Sequence, residues 1–437
     1  MNKPLIIILI SAFLLSISYS FYFQIEPVVD ARGYDRIAQN LISGKGYVEK
    51  PDTPFASEAA ISRVGPGYQF FLAGIYKIFG RNLPLIWILQ ALIHTLSGFF
   101  IYLISKKIFK DFEKREIAAL ISAFLFLFFI DIFELTSMIL TETLFLFLLI
   151  VSIFSIIKFF ENPEIKISAL AGILFGLAIL TRPTVLPLFL IAFVLMVYKK
   201  YFKEAFLFLL IPFLIIAPWT VRNYKVHKTF ILTSSAGGIN FWMGNNPEAT
   251  GESFYTEEMS EYIKKHGFVA AEKKGFEEGK KFIIEHPFKF IKLSFIKTSI
   301  YFSAARPAAF WFHLNGFLMG LTAIFSSIFA FIIFSFGILG IVSAIKKRNF
   351  NINLLVSYAL IAPLIVIPLV VETRYRYQIY PFLIIFSGIF LANIKEFLKD
   401  SFWKKITFAV ILIFALNSLF DLMLHFSQFQ KYFDKII

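Results

Sequence analysis

The chain has no cysteine. That excludes disulfides, thiolate nucleophiles and Cys-ligated zinc, and it leaves the redox compartment unmarked. Charge is scarce as well: 16% of the 437 residues are Asp, Glu, Lys or Arg, against about 25% in ordinary soluble domains. A soluble chain of this length needs two or three cores inside a charged shell, and there is too little polar residue to build that shell. Nucleotide signatures are missing too. No G-x-x-x-x-G-K-[ST] loop occurs, since the stretch Gly275 to Lys280 has the wrong spacing. No G-x-G-x-x-G opens a helix after a strand, and no H-E-x-x-H is found among the six His. A nucleotide cofactor held in a soluble fold is not expected.

What is abundant is apolar. Hydrophobic residues make up 58% of the chain and aromatics 19%, with 58 Phe. They come in runs too long for buried core helices, such as Ile324 to Ile345 and Phe382 to Ile394. The fold class read from this is an all-α polytopic membrane protein. The net charge is 43 − 29 = +14. In a membrane protein such an excess gathers in cytoplasmic loops, so no nucleic-acid partner is implied. Lys3 followed by the apolar stretch Leu5 to Phe23 has the length of a retained first span rather than a signal peptide, and no small-x-small cleavage site follows it.

With about 20 apolar residues per crossing, about 11 transmembrane helices are expected. They fall near 4–23, 84–105, 117–133, 141–160, 167–181, 184–198, 203–221, 317–345, 352–371, 377–394 and 406–424. The basic clusters Lys106/Lys107/Lys110/Lys114/Arg115, Lys199/Lys200/Lys203, Lys346/Lys347/Arg348 and Lys395/Lys399/Lys404/Lys405, together with Lys3, are expected on the cytoplasmic side. Parity then holds if Pro66–Phe79 and Phe288–Phe302 lie on the membrane surface as amphipathic helices. Merging 167–181 with 184–198 into one span would reverse the sidedness of everything after it. Two long extracytoplasmic loops result, 24–83 and 222–316, and loops of that length are uncommon without a function. Three parts follow: an N-terminal transmembrane catalytic module (1–221), the extracytoplasmic region with its surface helix (222–316), and C-terminal transmembrane helices (317–437).

The polar residues that this topology does not explain gather at one face. They are Asp30 past the first span, Arg63 before Pro66-Gly67, Glu142 at the start of the fourth span, Arg182 between two spans, Arg222 leaving the seventh, and Glu372, Arg374 and Arg376 beyond the ninth. Singly, each has a plain reading as an interfacial anchor or a helix-terminal charge. Asp35 and Arg36 read as a solvated helix face, and His94 as a packing or hydrogen-bonding residue. Together, two carboxylates and several arginines at one membrane interface form a candidate active site. A carboxylate serves as general base towards a hydroxyl or holds a divalent metal. An Arg fork matches a phosphate and stabilises it as a leaving group. A base, a phosphate clamp and a membrane interface point to a lipid-phosphate substrate.

These residues carry a resemblance. Asp30-x-x-x-Tyr34-x-x-Ile37-Ala38-x-Asn40-Leu41, Arg63-x-x-Pro66-Gly67-Tyr68 and Leu180-Thr181-Arg182-Pro183 are the first pieces. Pro218-Trp219-x-x-Arg222-Asn223-Tyr224, Gly244-Asn245-Asn246-Pro247 and Glu372-x-Arg374-Tyr375-Arg376 complete it. In order and spacing they resemble the GT-C integral-membrane glycosyltransferases, the group with protein O-mannosyltransferases and the aminoarabinose transferase of lipid A. The resemblance implies the GT-C fold and transfer of a hexose or pentose from a polyprenyl-phosphate-linked donor. The acceptor is a glycan, lipid A or a protein, reached at the extracytoplasmic face of the cell (inner or plasma) membrane. It implies Asp30 as base with Glu142 in support, in an inverting single displacement. Arg374, Arg376, Arg63, Arg182 and Arg222 would bind the donor phosphate, and Tyr34, Tyr375, Glu372 and Asn245 would position substrate. Family members usually carry Asp-Glu where this chain has Asp30-Ala31, so a paired-acid metal site is in doubt here. A divalent metal at Asp30 stays open, and no other cofactor is implied. Competing readings are a transporter or flippase of lipid-linked sugars and an O-antigen ligase or polymerase. Transporters place their polar groups near the bilayer midplane, whereas these acids fall at the rim.

Overall fold

In a computed structural model, the structure describes residues 2–49, 64–307, 313–347 and 349–433. The chain is all helical among these residues. In order the helices are α1 (Lys3–Phe23), α2 (Asp30–Ile42), α3 (Gly67–Phe79), α4 (Leu83–Ile108), α5 (Arg115–Phe128), α6 (Ile130–Phe133), α7 (Thr141–Glu161), α8 (Ile165–Thr181), α9 (Leu186–Tyr198) and α10 (Phe202–His227). There follow α11 (Gly237–Gly244), α12 (Glu257–Glu285), α13 (Pro287–Phe302), α14 (Gly316–Ile345), α15 (Phe350–Val366), α16 (Tyr380–Ala392), α17 (Ile394–Phe397), α18 (Ser401–Leu424) and α19 (Phe426–Phe433).

Local chemistry sets several boundaries. Asn82 caps α4 by accepting from the Leu85 amide, and Pro84 occupies the first turn, where its missing N–H leaves no bond unmade. Asp400 caps α18 in the same way, through the amides of Phe402 and Trp403. Among the described residues, six helices are long and apolar enough to cross a membrane: α1, α4, α7, α10, α14 and α18. The predicted span 117–133 is broken at Phe129, and α5 with the segment 130–137 forms a bent pair (59°) that makes a seventh. The other four of the eleven predicted spans are shorter apolar helices, 165–181, 183–198, 350–366 and 380–392.

Helix α16 is the centre of the bundle. Every residue from Tyr380 to Phe390 is buried, as expected of a helix apolar all round, and it packs against α5 and α14. Close approach is made by small residues. At Gly340 of α14 a Cβ would fall 1.9 Å from the Phe386 carbonyl oxygen. Large apolar side chains instead point outward along α1 (Ile7, Leu14), α10 (Phe206, Phe213) and α18 (Phe408, Ile413). An apolar surface of that extent suits lipid rather than water, and the chain is an integral membrane protein.

Within the two segments expected outward, α2 packs against α3, and α12 against α11 and α13. Both stretches expected as surface helices are helical. Helix α3 turns Tyr68, Leu72 and Tyr76 inward and leaves Phe70, Ile78 and Phe79 exposed, while α13 exposes Phe288, Ile291 and Phe295. One local reading is corrected. Asp35 is not on a solvated face: it is buried, takes the Tyr76 hydroxyl at 2.7 Å and pairs with Arg81 at 3.0 Å. Helices α2 and α3 pack together, which places a carboxylate between them and lets Arg81 neutralise it.

Candidate active site

Asp30 is the first residue of α2. The residue before it, Val29, has φ 48° and ψ −121°. A β-branched side chain avoids positive φ, so the peptide entering Asp30 is strained, and strain of this kind concentrates at functional sites. One turn later Tyr34 lies on the same helix face and is buried. Between the segment 25–31 and the segment 138–140 runs an apolar cleft, lined by Ile25, Pro27, Val28, Met138 and Leu140 and ending at Asp30. The far wall is pinned by Gln90, whose amide donates to the Thr136 and Met138 carbonyls and whose oxygen accepts from Tyr68.

Glu142 sits in the first turn of α7, where the helix dipole favours a negative charge. It is buried and pairs with Arg182 at 2.7 Å. Arg182 caps the end of α8, and its guanidinium also lies over the Phe145 ring, 5.8 Å from the centroid. The Pro66-Gly67 motif explains how α3 reaches this place. A Cβ on Gly67 would fall 2.5 Å from the Thr181 hydroxyl, so only glycine lets the start of α3 lie against the end of α8.

The third contribution comes from the 3-10 turn Thr373–Gln378, before α16. Arg374 donates from Nη1 to Asp30 Oδ2 at 2.6 Å and from Nε to Glu372 Oε2 at 2.6 Å. Burial works against the Arg374 charge. Glu372, Tyr375, Asp30 and Glu142 outweigh it and keep the group firmly cationic. Burial pushes the Tyr375 hydroxyl up to about 12, with Glu372 adding to the rise and Arg374 and Arg182 opposing it. Tyr34 is likewise raised, first by burial and then by Asp30 and Glu142, against Arg374 and Arg182. Both tyrosines are therefore neutral hydroxyls. Tyr34 thus feels the two acids and the two arginines at once.

Seven of the expected residues thus converge: Asp30, Tyr34, Glu142, Arg182, Glu372, Arg374 and Tyr375. Three others do not join them. Arg376 is fully buried and donates to the backbone carbonyls of Arg306 and Ile300 at 2.8 and 2.6 Å. Both terminal nitrogens of its guanidinium are thus engaged by backbone carbonyls, and the side chain acts as a strut. Arg222 lies over Trp219 (4.7 Å) and Tyr47 (5.4 Å) and donates to the Tyr47 carbonyl. Trp219 and Asn223 meanwhile bond the carbonyls of Thr233 and Ile231, so this motif folds the turn after α10. Asn245 is buried and donates to the Pro368 carbonyl, holding the segment that leads to Glu372. Arg63, like Arg348 of the basic clusters, lies outside the described residues.

The sequence reading missed Lys297 as a buried group and the pair Arg306–Asp421. Lys297 did leave a signal, as a lysine on an apolar helix. His94 is buried and contacts the Leu127 carbonyl oxygen, 3.1 Å away. For a divalent cation the donor set does not fit. Asp30 and Glu372 are both engaged by one guanidinium, Ala31 stands beside Asp30, and among the described residues no group of three His, Asp or Glu side chains is placed to hold one ion.

Residues 63–221 match the family model of dolichyl-phosphate-mannose-protein mannosyltransferases. Among solved structures, the chain is similar to the oligosaccharyltransferase of Archaeoglobus fulgidus in complex with Zn and sulfate. The TM-score is 0.51 at 15% identity, covering 94% of this chain and 53% of that one. The archaeal oligosaccharyltransferase AglB from Archaeoglobus fulgidus, in complex with an inhibitory peptide and a dolichol-phosphate, matches with TM-score 0.47 at 14% identity over 96% of this chain and 55% of that one. ArnT from Cupriavidus metallidurans bound to undecaprenyl phosphate matches with TM-score 0.48 at 13% identity, over 97% and 73% of the two chains. The chain spans about half the length of the oligosaccharyltransferases it matches. No curated protein sequence matches it significantly. The chain has the GT-C architecture of integral-membrane glycosyltransferases, as the sequence resemblance implied.

Proposed function

We propose that the chain is a glycosyltransferase that moves a hexose or pentose from a polyprenyl-phosphate carrier to an acceptor hydroxyl at the extracytoplasmic face of the cell membrane. The observation that carries this reading is the convergence of Asp30, Glu142, Arg182 and Arg374 around Tyr34, beside an apolar cleft. Arg374 supplies a guanidinium for the donor phosphate, and Arg182, fixed by Glu142, adds a second positive charge beside it. The acceptor oxygen attacks the anomeric carbon, and its proton passes to Asp30. The bond between the anomeric carbon and the phosphate oxygen breaks, and the electron pair leaves with polyprenyl phosphate. One displacement inverts the anomeric configuration. Charge developing on the leaving phosphate is met by Arg374, already in place, which is where electrostatic catalysis acts. The family model over residues 63–221 supports a lipid-phosphate sugar donor.

The site is divided between α2, α7, α8 and the turn before α16, so the module 1–221 needs residues 372–375 to be complete. Acceptors consistent with this chemistry are hydroxyls of a glycan, of lipid A or of a protein. The test is a panel of polyprenyl-phosphate sugars incubated with membranes containing the full chain, with release of the carrier as readout. Asp30→Asn is expected to lower release by about 10²–10⁴-fold, the usual worth of a general base. Transfer that survives Asp30→Asn intact removes Asp30 from the base role.

A further inference from the structure

We propose that Asp30 and Arg374 form a latch worked by the sugar donor, an inference that rests on the glycosyl-transfer reading above. In the resting protein the base is held by the group that binds phosphate, and the donor frees it by taking that group. Two carboxylates from opposite ends of the chain share one guanidinium. Asp30 on α2 takes Nη1, and Glu372, two residues before Arg374 on the same turn, takes Nε. The three groups together carry a net charge of −1. A carboxylate oxygen committed to Nη1 is not aimed at an acceptor hydroxyl, and the guanidinium edge facing Asp30 is not presented to a phosphate. A donor phosphate entering this site therefore competes with Asp30 for Arg374.

The contact is built to exchange. The Arg374, Asp30 and Glu372 side chains are 20%, 26% and 29% exposed, so water reaches all three and the cost of separating the ions stays modest. Glu372 keeps hold of Nε while Nη1 is released, because it belongs to the same turn. The Asp30 contact, by contrast, joins two separate segments. Opening it loosens α2 from the 372–376 turn beside the cleft. The neighbouring pair differs: Glu142 is buried and meets Arg182 in its own one-to-one ion pair.

The latch also times product release. After transfer Asp30 carries the acceptor's proton and does not compete for Arg374, which stays with the carrier phosphate. When that proton is lost, Asp30 takes Nη1 back and displaces the carrier. Donor binding thus comes before the base is available, and deprotonation of Asp30 comes before the carrier leaves.

The test is binding of undecaprenyl phosphate to the purified full chain in nanodiscs of zwitterionic lipid. Asp30→Asn and Asp30→Ala remove the competitor for Arg374 and are expected to bind the carrier about tenfold more tightly, which is about 1.4 kcal/mol. Glu26 lines the same cleft, so Glu26→Gln removes an equal charge without touching Arg374 and is expected to change binding less than about twofold. Unchanged or weaker binding in both Asp30 variants, or equal tightening in Glu26→Gln, overturns the latch. A wild-type chain that binds the carrier while the Asp30 variants gain nothing sinks the latch alone. A wild-type chain with no affinity for undecaprenyl phosphate sinks the donor reading, and the latch with it.

Discussion

Two clusters at the same end of the molecule have the same composition and opposite character. Each holds one arginine between two carboxylates: Arg374 between Asp30 and Glu372, and Arg306 between Asp421 and Glu252. Arg306 grips Asp421 with a fork, Nε to Oδ2 at 2.6 Å and Nη2 to Oδ1 at 2.9 Å. The Asp421 side chain is wholly buried, and His425 meets its Oδ1 at 2.9 Å. Phe429 covers the guanidinium at 5.3 Å. Arg374 meets Asp30 through Nη1 and Glu372 through Nε, and its three-ion group is more open to water. Bidentate, desolvated pairs fix structure, and single-contact, hydrated pairs exchange. The Arg306 cluster ties α18 to the segment after α13 and the turn after α11. Through the Arg306 carbonyl it also anchors Arg376, so the structural cluster supports the turn that carries the exchangeable one.

The largest expected effect breaks the structural side. Asp421→Ala leaves Arg306 buried with much of its charge uncompensated, and it is expected to cost about 3–5 kcal/mol of stability. Denaturation of the full chain in detergent checks this. Arg374→Ala is expected to move the same measurement by less than Asp421→Ala does, while lowering sugar transfer by about 10²–10³-fold, the worth of one preorganised group at a developing charge. If the two variants unfold alike, or if Asp421→Ala spares stability and Arg374→Ala spares transfer, the distinction between the clusters is wrong.

Much of the exchangeable cluster was legible because its residues break local rules. Asp30, Glu142, Arg182 and Arg374 are charges next to apolar runs, where nothing in the hydropathy pattern accounts for them. The apolar helices were legible for the same reason in reverse. What stayed hidden is direction and pairing. Glu372-x-Arg374-Tyr375-Arg376 offers two arginines with equal claim to a phosphate. In a 3-10 turn, with about three residues per turn, positions two apart project about 240° from each other. One therefore reaches the site and the other the protein interior. The pattern does not say which. The pair Arg306–Asp421 spans 115 residues of sequence and has no periodic signature at all. Motifs such as Pro218-Trp219-x-x-Arg222-Asn223 and Gly244-Asn245-Asn246 were noticed correctly, but their chemistry is structural. Gly244 lies so near the Leu369 carbonyl that a Cβ would fall 1.7 Å from its oxygen, and Asn245 bonds the Pro368 carbonyl.

A third cation sharpens the comparison, because among the described residues it has no carboxylate. Lys297 on α13 is fully buried, and its ammonium donates to Asn245 Oδ1 at 3.2 Å. Burial lowers it from 10.5 to about 7. Between those two values the unfolded chain holds the proton and the folded chain does not, so stability rises as pH rises across the window and is lost as pH falls toward 7. From pH 7 to pH 9 the expected gain is about 2 kcal/mol. Lys297→Met removes the titrating group at similar length and is expected to flatten that slope, with the gain in stability greatest near pH 7. Thermal unfolding of the full chain in detergent at both pH values, wild type beside the variant, measures it. Parallel slopes would mean that Lys297 keeps its proton in the fold. The Asn245 amide oxygen would then accept from a charged ammonium, and the segment from Pro368 to Glu372 would hang on an ion–dipole contact that titration does not touch.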